Sequence, residues 1–292
     1  MPGEYRPDLP SLLGSRLKVE RAQRHLDELE PELRAYSQGE PYRIADKPDV
    51  EDEWMIVRIA EVWKYPDPRW GVRVGEFLHD LRSALDNLVW QLVLVNRKEP
   101  GDHNQFPIYT DAEKPPGSAR LKQLKGVPGA TRMDDMLWGV ADNHSATIKE
   151  LQPYLGFHVH GEQRVALTVL AALSNIDKHR FVHPAVGIRQ RADAPLGEHV
   201  AGPPPREIEV TFTMGPIYPG AELFRWRVLG GTSQTKVTME GEVPHDIAFS
   251  HQAMTLGRLD WMCERIGQIV ERFAIAFPAS PDEPNAAHGP SS

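Results

Sequence analysis

Cysteine is almost missing from this chain of 292 residues, and the absence narrows its chemistry. The one cysteine, Cys263, excludes an internal disulfide and any metal site built from several cysteines. Apolar runs of the roughly 18 residues that span a bilayer are also missing, and the N-terminal sequence lacks the basic start and apolar run of a signal peptide. We therefore expect a cytoplasmic protein without a membrane partner.

Basic residues are the minority among the charged ones. The chain has 33 Lys and Arg against 41 Asp and Glu, a formal charge of −8, which argues against a large non-specific surface for phosphates. The stretch from His160 to Arg191 runs against this trend, because it is locally basic. With 40% hydrophobic and 25% charged residues the composition is that of a globular protein, so a buried core is expected.

Hydrophobic periodicity predicts an α+β protein. Long helices are predicted over about 12–33, 68–96, 133–155, 162–182 and 252–277. Strands are predicted over 42–45, 54–63, 207–214, 223–229 and 235–243, where residues alternate or are β-branched. We expect a bundle of the long helices with one antiparallel sheet packed beside it, in a single domain over 1–277 followed by a disordered tail over 278–292.

The second predicted helix carries the strongest candidate site. His79, Arg82, Ser83 and Asp86 follow one another at helical spacing, on the side opposite a row of apolar residues. If this row is only a solvated helix face, its Arg82–Asp86 ion pair stabilises the helix by a few tenths of a kcal/mol. As a site, His79, Arg82 and Asp86 are the candidate catalytic residues and Ser83 a binding residue, because these groups can bind phosphate or transfer protons.

A second polar cluster ends the helix predicted over 162–182, which is otherwise nearly all apolar. It consists of Asn175, Asp177, Lys178, His179 and Arg180. The attraction of cations to a helix C-terminus explains the last three without any function. Asn175 and Asp177 are not explained in that way, so all five are candidate binding residues.

A metal site is a third alternative. His158 and His160 alternate along one segment, and with His179 they suggest a metal-dependent hydrolase. No acidic ligand stands at a diagnostic spacing, and the chain has neither a Gly-rich phosphate loop nor an H-E-x-x-H motif. We therefore predict no cofactor and assign no metal ligand.

Four segments resemble an uncharacterised family of bacterial and phage proteins, over about 74–182. They are LHDLRSALDNLVWQL from Leu78, FPI from Phe106, LQPY from Leu151 and LSNIDKHR from Leu173. Within them, RSALD resembles the R-x4-H signature of the HEPN (higher-eukaryote and prokaryote nucleotide-binding) superfamily. That resemblance implies a helical bundle and, in many members, a metal-independent ribonuclease. Arg82 matches the signature arginine, whereas Asn87 stands where the histidine would be.

Two hypotheses for the function follow. In the first, a HEPN-like protein recognises RNA or a nucleotide through the two polar clusters, and Asn87 argues against cleavage because an amide has no acid–base range near neutral pH. In the second, the protein is a non-enzymatic interaction or scaffold protein that can form a homodimer, and the clusters form a structural network. Whether the protein is an enzyme stays open at this stage.

Overall fold

The computed structural model describes residues 9–39, 41–111, 123–125, 127–179, 182, 184–188, 197–215, 218–232, 234–240, 245–249 and 254–277. Its α-helices are α1 (Leu13–Gln38), α2 (Arg69–Val95), α3 (Arg132–Met136), α4 (Asp142–Glu150), α5 (Gly161–His179) and α6 (Leu256–Glu271). Short 3-10 helices cover Pro153–Leu155 and Ala274–Ala276. The predicted tail over 278–292 lies outside the described residues.

The strands confirm the α+β class. They are β1 (Tyr42–Ile44), β2 (Asp49–Glu51), β3 (Trp54–Val62), β4 (Pro184–Ile188), β5 (Gly197–Ala201), β6 (Glu207–Phe212), β7 (Met214–Gly215), β8 (Glu222–Leu229), β9 (Lys236–Glu240), β10 (His245–Phe249) and β11 (Met254–Thr255). Every pairing described between them is antiparallel.

Strands from both parts of the chain do share a sheet, as predicted. β1, β3, β8 and β6 are neighbours in that order, and β2 also pairs with β3. The prediction of a single sheet holds only for these five strands. The described residues contain two further sheets, β11-β10-β4-β7 and β5-β9. The segment predicted as a single strand over 207–214 changes sheet at Thr213: Phe212 pairs with Phe224 of β8, and Met214 pairs with Gly187 of β4.

Contacts along the chain divide it into two compact units. The first, called the helical unit below, comprises Met1–Gln23, Phe77–Asn175 and Trp261–Ser292. The second, called the sheet unit, comprises Arg24–Glu76 and Ile176–Asp260 and contains all of the described strands. The single domain over 1–277 stays a prediction.

Helices α1 and α2 run antiparallel in the helical unit, joined by a polar seam. Its four contacts are Ser11–Gln91, Ser15–Asn87, Lys18–Ser83 and Arg21–Asp80, at 2.9, 3.0, 2.7 and 3.3 Å. Each step of three or four residues forward along α1 is matched by three or four residues back along α2. This is the spacing of one face of a helix, so the seam fixes the register of the pair.

The apolar stripe predicted on the last helix is buried. Its members on α6 and the residues just after it are at most 2% exposed: Leu259, Met262, Cys263, Ile266, Ile269, Val270 and Phe273. The thiol of Cys263 donates to the carbonyl of Val19 on α1 at 3.8 Å. Cys263 is therefore a core residue.

Candidate functional site

The predicted apolar row of α2 forms part of the core. Its members are fully or almost fully buried: Val74, Phe77, Leu78, Leu81, Leu85, Leu88 and Leu92. Because these residues face inward, the other side of α2 presents the polar row, from exposed His79 to half-buried Arg82, Ser83 and Asp86. The helical register inferred from the sequence is therefore confirmed.

Arg82 and Asp86 form the predicted ion pair and together hold the main chain of Phe106. Arg82 Nη2 lies 2.9 Å from Asp86 Oδ1 and donates to the carbonyl of Phe106 at 2.7 Å. The amide N–H of Phe106 donates back to Asp86 Oδ1 at 2.9 Å. One residue of the loop thus has both its main-chain polar groups satisfied by one ion pair, an arrangement called the Phe106 clamp below.

Burial makes the clamp stronger than an ordinary surface pair. The side chains of Arg82 and Asp86 are only 22% and 33% exposed, and the Phe106 side chain is fully buried. Partly shielded charges gain more from hydrogen bonds than exposed ones, and a buried main-chain group left without a partner costs about 1–3 kcal/mol. The clamp therefore anchors the loop that follows α2.

Gln152 continues the anchoring one residue further along the loop. This fully buried side chain donates to the carbonyl of Pro107 at 2.8 Å and accepts from the amide of Tyr109 at 3.1 Å. The RSALD, FPI and LQPY segments are therefore joined in space by contacts to main-chain atoms. Sequence reasoning assigned no role to Gln152, since a contact between positions 45 residues apart leaves no periodic signal.

The remaining polar groups of the row do not join the clamp. Ser83 faces α1 and accepts a hydrogen bond from Lys18 at 2.7 Å, within the polar seam. His79 is exposed, one turn before Arg82. Of the candidate catalytic residues, the structure brings Arg82 and Asp86 together and leaves the His79 imidazole on the surface.

Asn87, at the position of the signature histidine, also belongs to the polar seam. Its Oδ1 accepts a hydrogen bond at 3.0 Å from Ser15, which is fully buried. The same oxygen would lie 2.9 Å from a Cβ added to Gly14, so the two helices touch closely here. Asn87 is thus held in a helix contact, and a side chain so placed is not free to act on a substrate.

The cluster at the end of α5 is exposed. Asn175, Asp177, Lys178 and His179 all lie at the surface, and Arg180 is outside the described residues. Asp177 follows buried Leu173 by four residues and so lies on the apolar side of α5, although its side chain is exposed. Its carboxylate lies against α2 at Gly75, where an added Cβ would meet Asp177 Oδ1 at 2.5 Å.

The two polar clusters are divided between the units. His79, Arg82, Ser83, Asp86 and Asn175 belong to the helical unit, while Asp177, Lys178 and His179 belong to the sheet unit. A single site formed by both clusters stays a prediction.

The histidines proposed as metal ligands have other neighbours. His160 lies with its ring nitrogens 3.3 and 3.4 Å from the guanidinium of Arg272, and His158 is exposed. Burial lowers the pKa of His160, and the charges of Arg272 and Arg164 lower it further. Within the described ranges, no three His, Cys, Asp or Glu residues are grouped as a metal site would require.

Comparisons with protein-family models, curated proteins and solved structures find no match. Among the helices of the described residues, none combines the length and the apolar character of a membrane span. The candidate site is therefore defined by its own geometry: the Phe106 clamp, the polar seam beside it and the exposed His79.

Proposed function

We propose that this protein acts by binding a partner and is not an enzyme, with the Phe106 clamp as a structural network. The observation that carries the proposal is the double contact of Arg82 and Asp86 with the main chain of Phe106. Three of the five N–H donors of the Arg82 guanidinium are used in these contacts, which hold the side chain against the loop. We propose a cytoplasmic location for it, in keeping with the single cysteine.

The surroundings of Asn87 support the same proposal. Cleavage of RNA without a metal needs a group that gives or takes a proton, and a neutral amide does neither near pH 7. The Asn87 side chain is also engaged by Ser15. His79 is the histidine of the row, and it stands three residues before Arg82, whereas the signature histidine would stand five residues after it.

RNA or a nucleotide is the second candidate, as the bound partner rather than a substrate. The exposure of His79, Lys178 and His179 favours it, because exposed cations and imidazoles can reach a phosphate without unfolding the protein. A homodimer formed through the helices is compatible with either candidate. The net charge of −8 favours the first.

The Arg82→Ala variant tests the structural role of the clamp. It should lower the free energy of unfolding by about 1–3 kcal/mol in urea titrations, because it removes three hydrogen bonds and leaves the partly buried Asp86 carboxylate without its cation. Arg34→Ala is a matched control, since Arg34 and Glu30 form an i,i+4 pair on α1 that is 68% and 50% exposed. That control should cost under about 0.5 kcal/mol.

Binding and cleavage assays separate the two candidates. Wild type should leave labelled RNA intact in the presence of EDTA, and a ribonuclease activity that Arg82→Lys abolishes would overturn the main proposal. His79→Ala and His179→Ala change exposed side chains and should not alter stability. If fluorescence anisotropy shows RNA binding that these two variants weaken, the second candidate replaces the first.

A further inference from the structure

Four large apolar side chains are exposed on the helical unit, close to the end of α6. Leu155, Phe157 and Val159 are 49%, 53% and 59% exposed, and Ile275 is 95% exposed. Single exposed apolar residues are normal, but a group of them with a defined rim marks an interaction site. We propose that this apolar patch, with Arg272 at its rim, docks a short acidic, hydrophobic peptide segment of a partner protein.

The loop that carries Leu155, Phe157 and Val159 is held in place by hydrogen bonds to its main chain and to the residues before it. Arg164, only 5% exposed, donates from Nε to the carbonyl of Glu150 at 3.2 Å and also bonds the carbonyl of Gly156. The amide of Tyr154 donates to the carbonyl of Tyr109 at 2.9 Å. Because the main chain is fixed in this way, little ordering entropy remains to be lost when a ligand binds.

Arg272 links the loop to the turn that carries Ile275. Its two terminal nitrogens lie 3.3 and 3.4 Å from the ring nitrogens of His160, at the end of the loop. Ile275 follows three residues later, in the 3-10 helix Ala274–Ala276. The contact therefore places the two segments that carry the patch next to each other, at His160 and Arg272.

The positive charge of Arg272 indicates that the partner segment is negatively charged. Neighbouring arginines have carboxylate partners: Arg16 pairs with Glu271 at 2.7 Å and Arg265 with Glu162 at 2.9 Å. Arg272 is exposed, and within the described part of the chain its guanidinium has no ion pair with a carboxylate and no hydrogen-bond contact besides the one with the imidazole of His160. A guanidinium without a carboxylate beside apolar side chains is complementary to a ligand that is hydrophobic and acidic.

The small size of the apolar patch indicates a short segment rather than a whole subunit. A stable protein interface buries about 800 Å² on each partner, and one large apolar side chain contributes at most on the order of 200 Å². Four partly exposed side chains fall short of that area. The inference rests on the proposed function, because it assigns a partner class to a binding protein.

Two labelled peptides provide the test, one made of Leu, Phe and Glu and the other of Leu, Phe and Lys. Fluorescence anisotropy should show that wild type binds the Glu peptide at least about tenfold more tightly than the Lys peptide. Phe157→Ser should abolish binding of the Glu peptide. Arg272→Gln should weaken it about fivefold to tenfold and remove the discrimination between the peptides.

Tyr218→Ser is the control, since Tyr218 is 54% exposed and belongs to the sheet unit. It should bind like wild type, and all three variants should unfold at the wild-type urea midpoint. Equal affinity for both peptides, no binding, or the same loss in Tyr218→Ser would overturn the inference. So would sedimentation of wild type as a dimer that Phe157→Ser dissociates, because a second copy would then occupy the patch. None of these results bears on the Arg82 experiment, so the two proposals fail separately.

Discussion

Gly14 lies at a close contact between α1 and α2 in the helical unit. A Cβ at this position would lie 2.9 Å from Asn87 Oδ1, closer than van der Waals contact allows. Gly14→Ala should therefore lower the free energy of unfolding by about 1–3 kcal/mol, despite the better helix propensity of alanine. Urea titration measures the change.

Gly257 on α6 is the matched control, because nothing lies within 4 Å of its added Cβ. Gly257→Ala should be neutral or stabilising by up to about 1 kcal/mol. Adding Asn87→Ala to Gly14→Ala should recover part of the loss, since the clashing amide is then gone. If the two glycine variants behave alike, the close contact at Gly14 is not what limits stability.

Two histidines near the end of α6 make stability depend on pH. Burial lowers the pKa of His144, whose ring meets Phe273 edge-on at 6.0 Å, and burial together with Arg272 and Arg164 lowers the pKa of His160. The unfolded chain, with a histidine pKa of about 6.5, then binds more protons than the folded one. The free energy of unfolding should therefore have its full value above about pH 6.5 and should fall as the pH drops below 6.5.

Thermal unfolding between pH 7.5 and 5 measures this loss. The decline should be steeper in wild type than in the variant with both His144→Gln and His160→Gln, by up to about 1.4 kcal/mol per pH unit for each extra proton. Equal slopes in the two proteins would contradict the assignment.

Among the elements, the β2–β3 hairpin carries an unusual turn. Glu51 pairs with Trp54, so the loop is Asp52-Glu53, and both residues have positive φ, 47° and 68°. Two-residue hairpin loops of this kind favour Asn and Gly, because other side chains cost about 1–2 kcal/mol in the left-handed region. Glu53→Gly should therefore stabilise the protein by about 0.5–1 kcal/mol, measured by urea unfolding, whereas Glu51→Gly in the adjoining strand should destabilise it. A loss of stability in Glu53→Gly would contradict this reading of the turn.

The helices were easier to predict than the strands because their signal is local. The second helix was predicted over 68–96, and the structure has α2 over Arg69–Val95. Its apolar row repeats for several turns, and prolines stand on both sides of the helix. Strands β2, β4, β5, β10 and β11 were missed, since segments of two to five residues are too short for an alternating pattern. Sheet membership was less accessible still, as Thr213 shows by separating two sheets within one predicted strand.

Only those contacts of the candidate site that lie within one helix were predicted. The Arg82–Asp86 pair follows from i,i+4 spacing, and the structure contains it. Its contact with Phe106 did not follow, since the loop approaches α2 by tertiary folding and no spacing rule relates positions 86 and 106. The partnership of Asn87 with Ser15, across 72 residues, was hidden for the same reason.

At the scale of the whole molecule, four helices contribute residues to both units: α1, α2, α5 and α6. A helix interrupted in its middle leaves main-chain groups without partners, so partial melting is costly. We expect a single calorimetric transition that both Gly14→Ala and Glu53→Gly displace, although Gly14 and Glu53 belong to different units. Two transitions, each sensitive to one variant only, would contradict this.

The Phe106 clamp binds main-chain atoms that every amino acid except proline possesses. Its bonds end on a carbonyl oxygen and an amide N–H, so they do not depend on which side chain stands at position 106. Loop sequences can therefore diverge around the clamp while an arginine and an aspartate four residues apart persist. An arginine and an aspartate so spaced, even in a motif that resembles a nuclease signature, can serve to fasten a loop, so the pair by itself does not indicate a protein's chemistry.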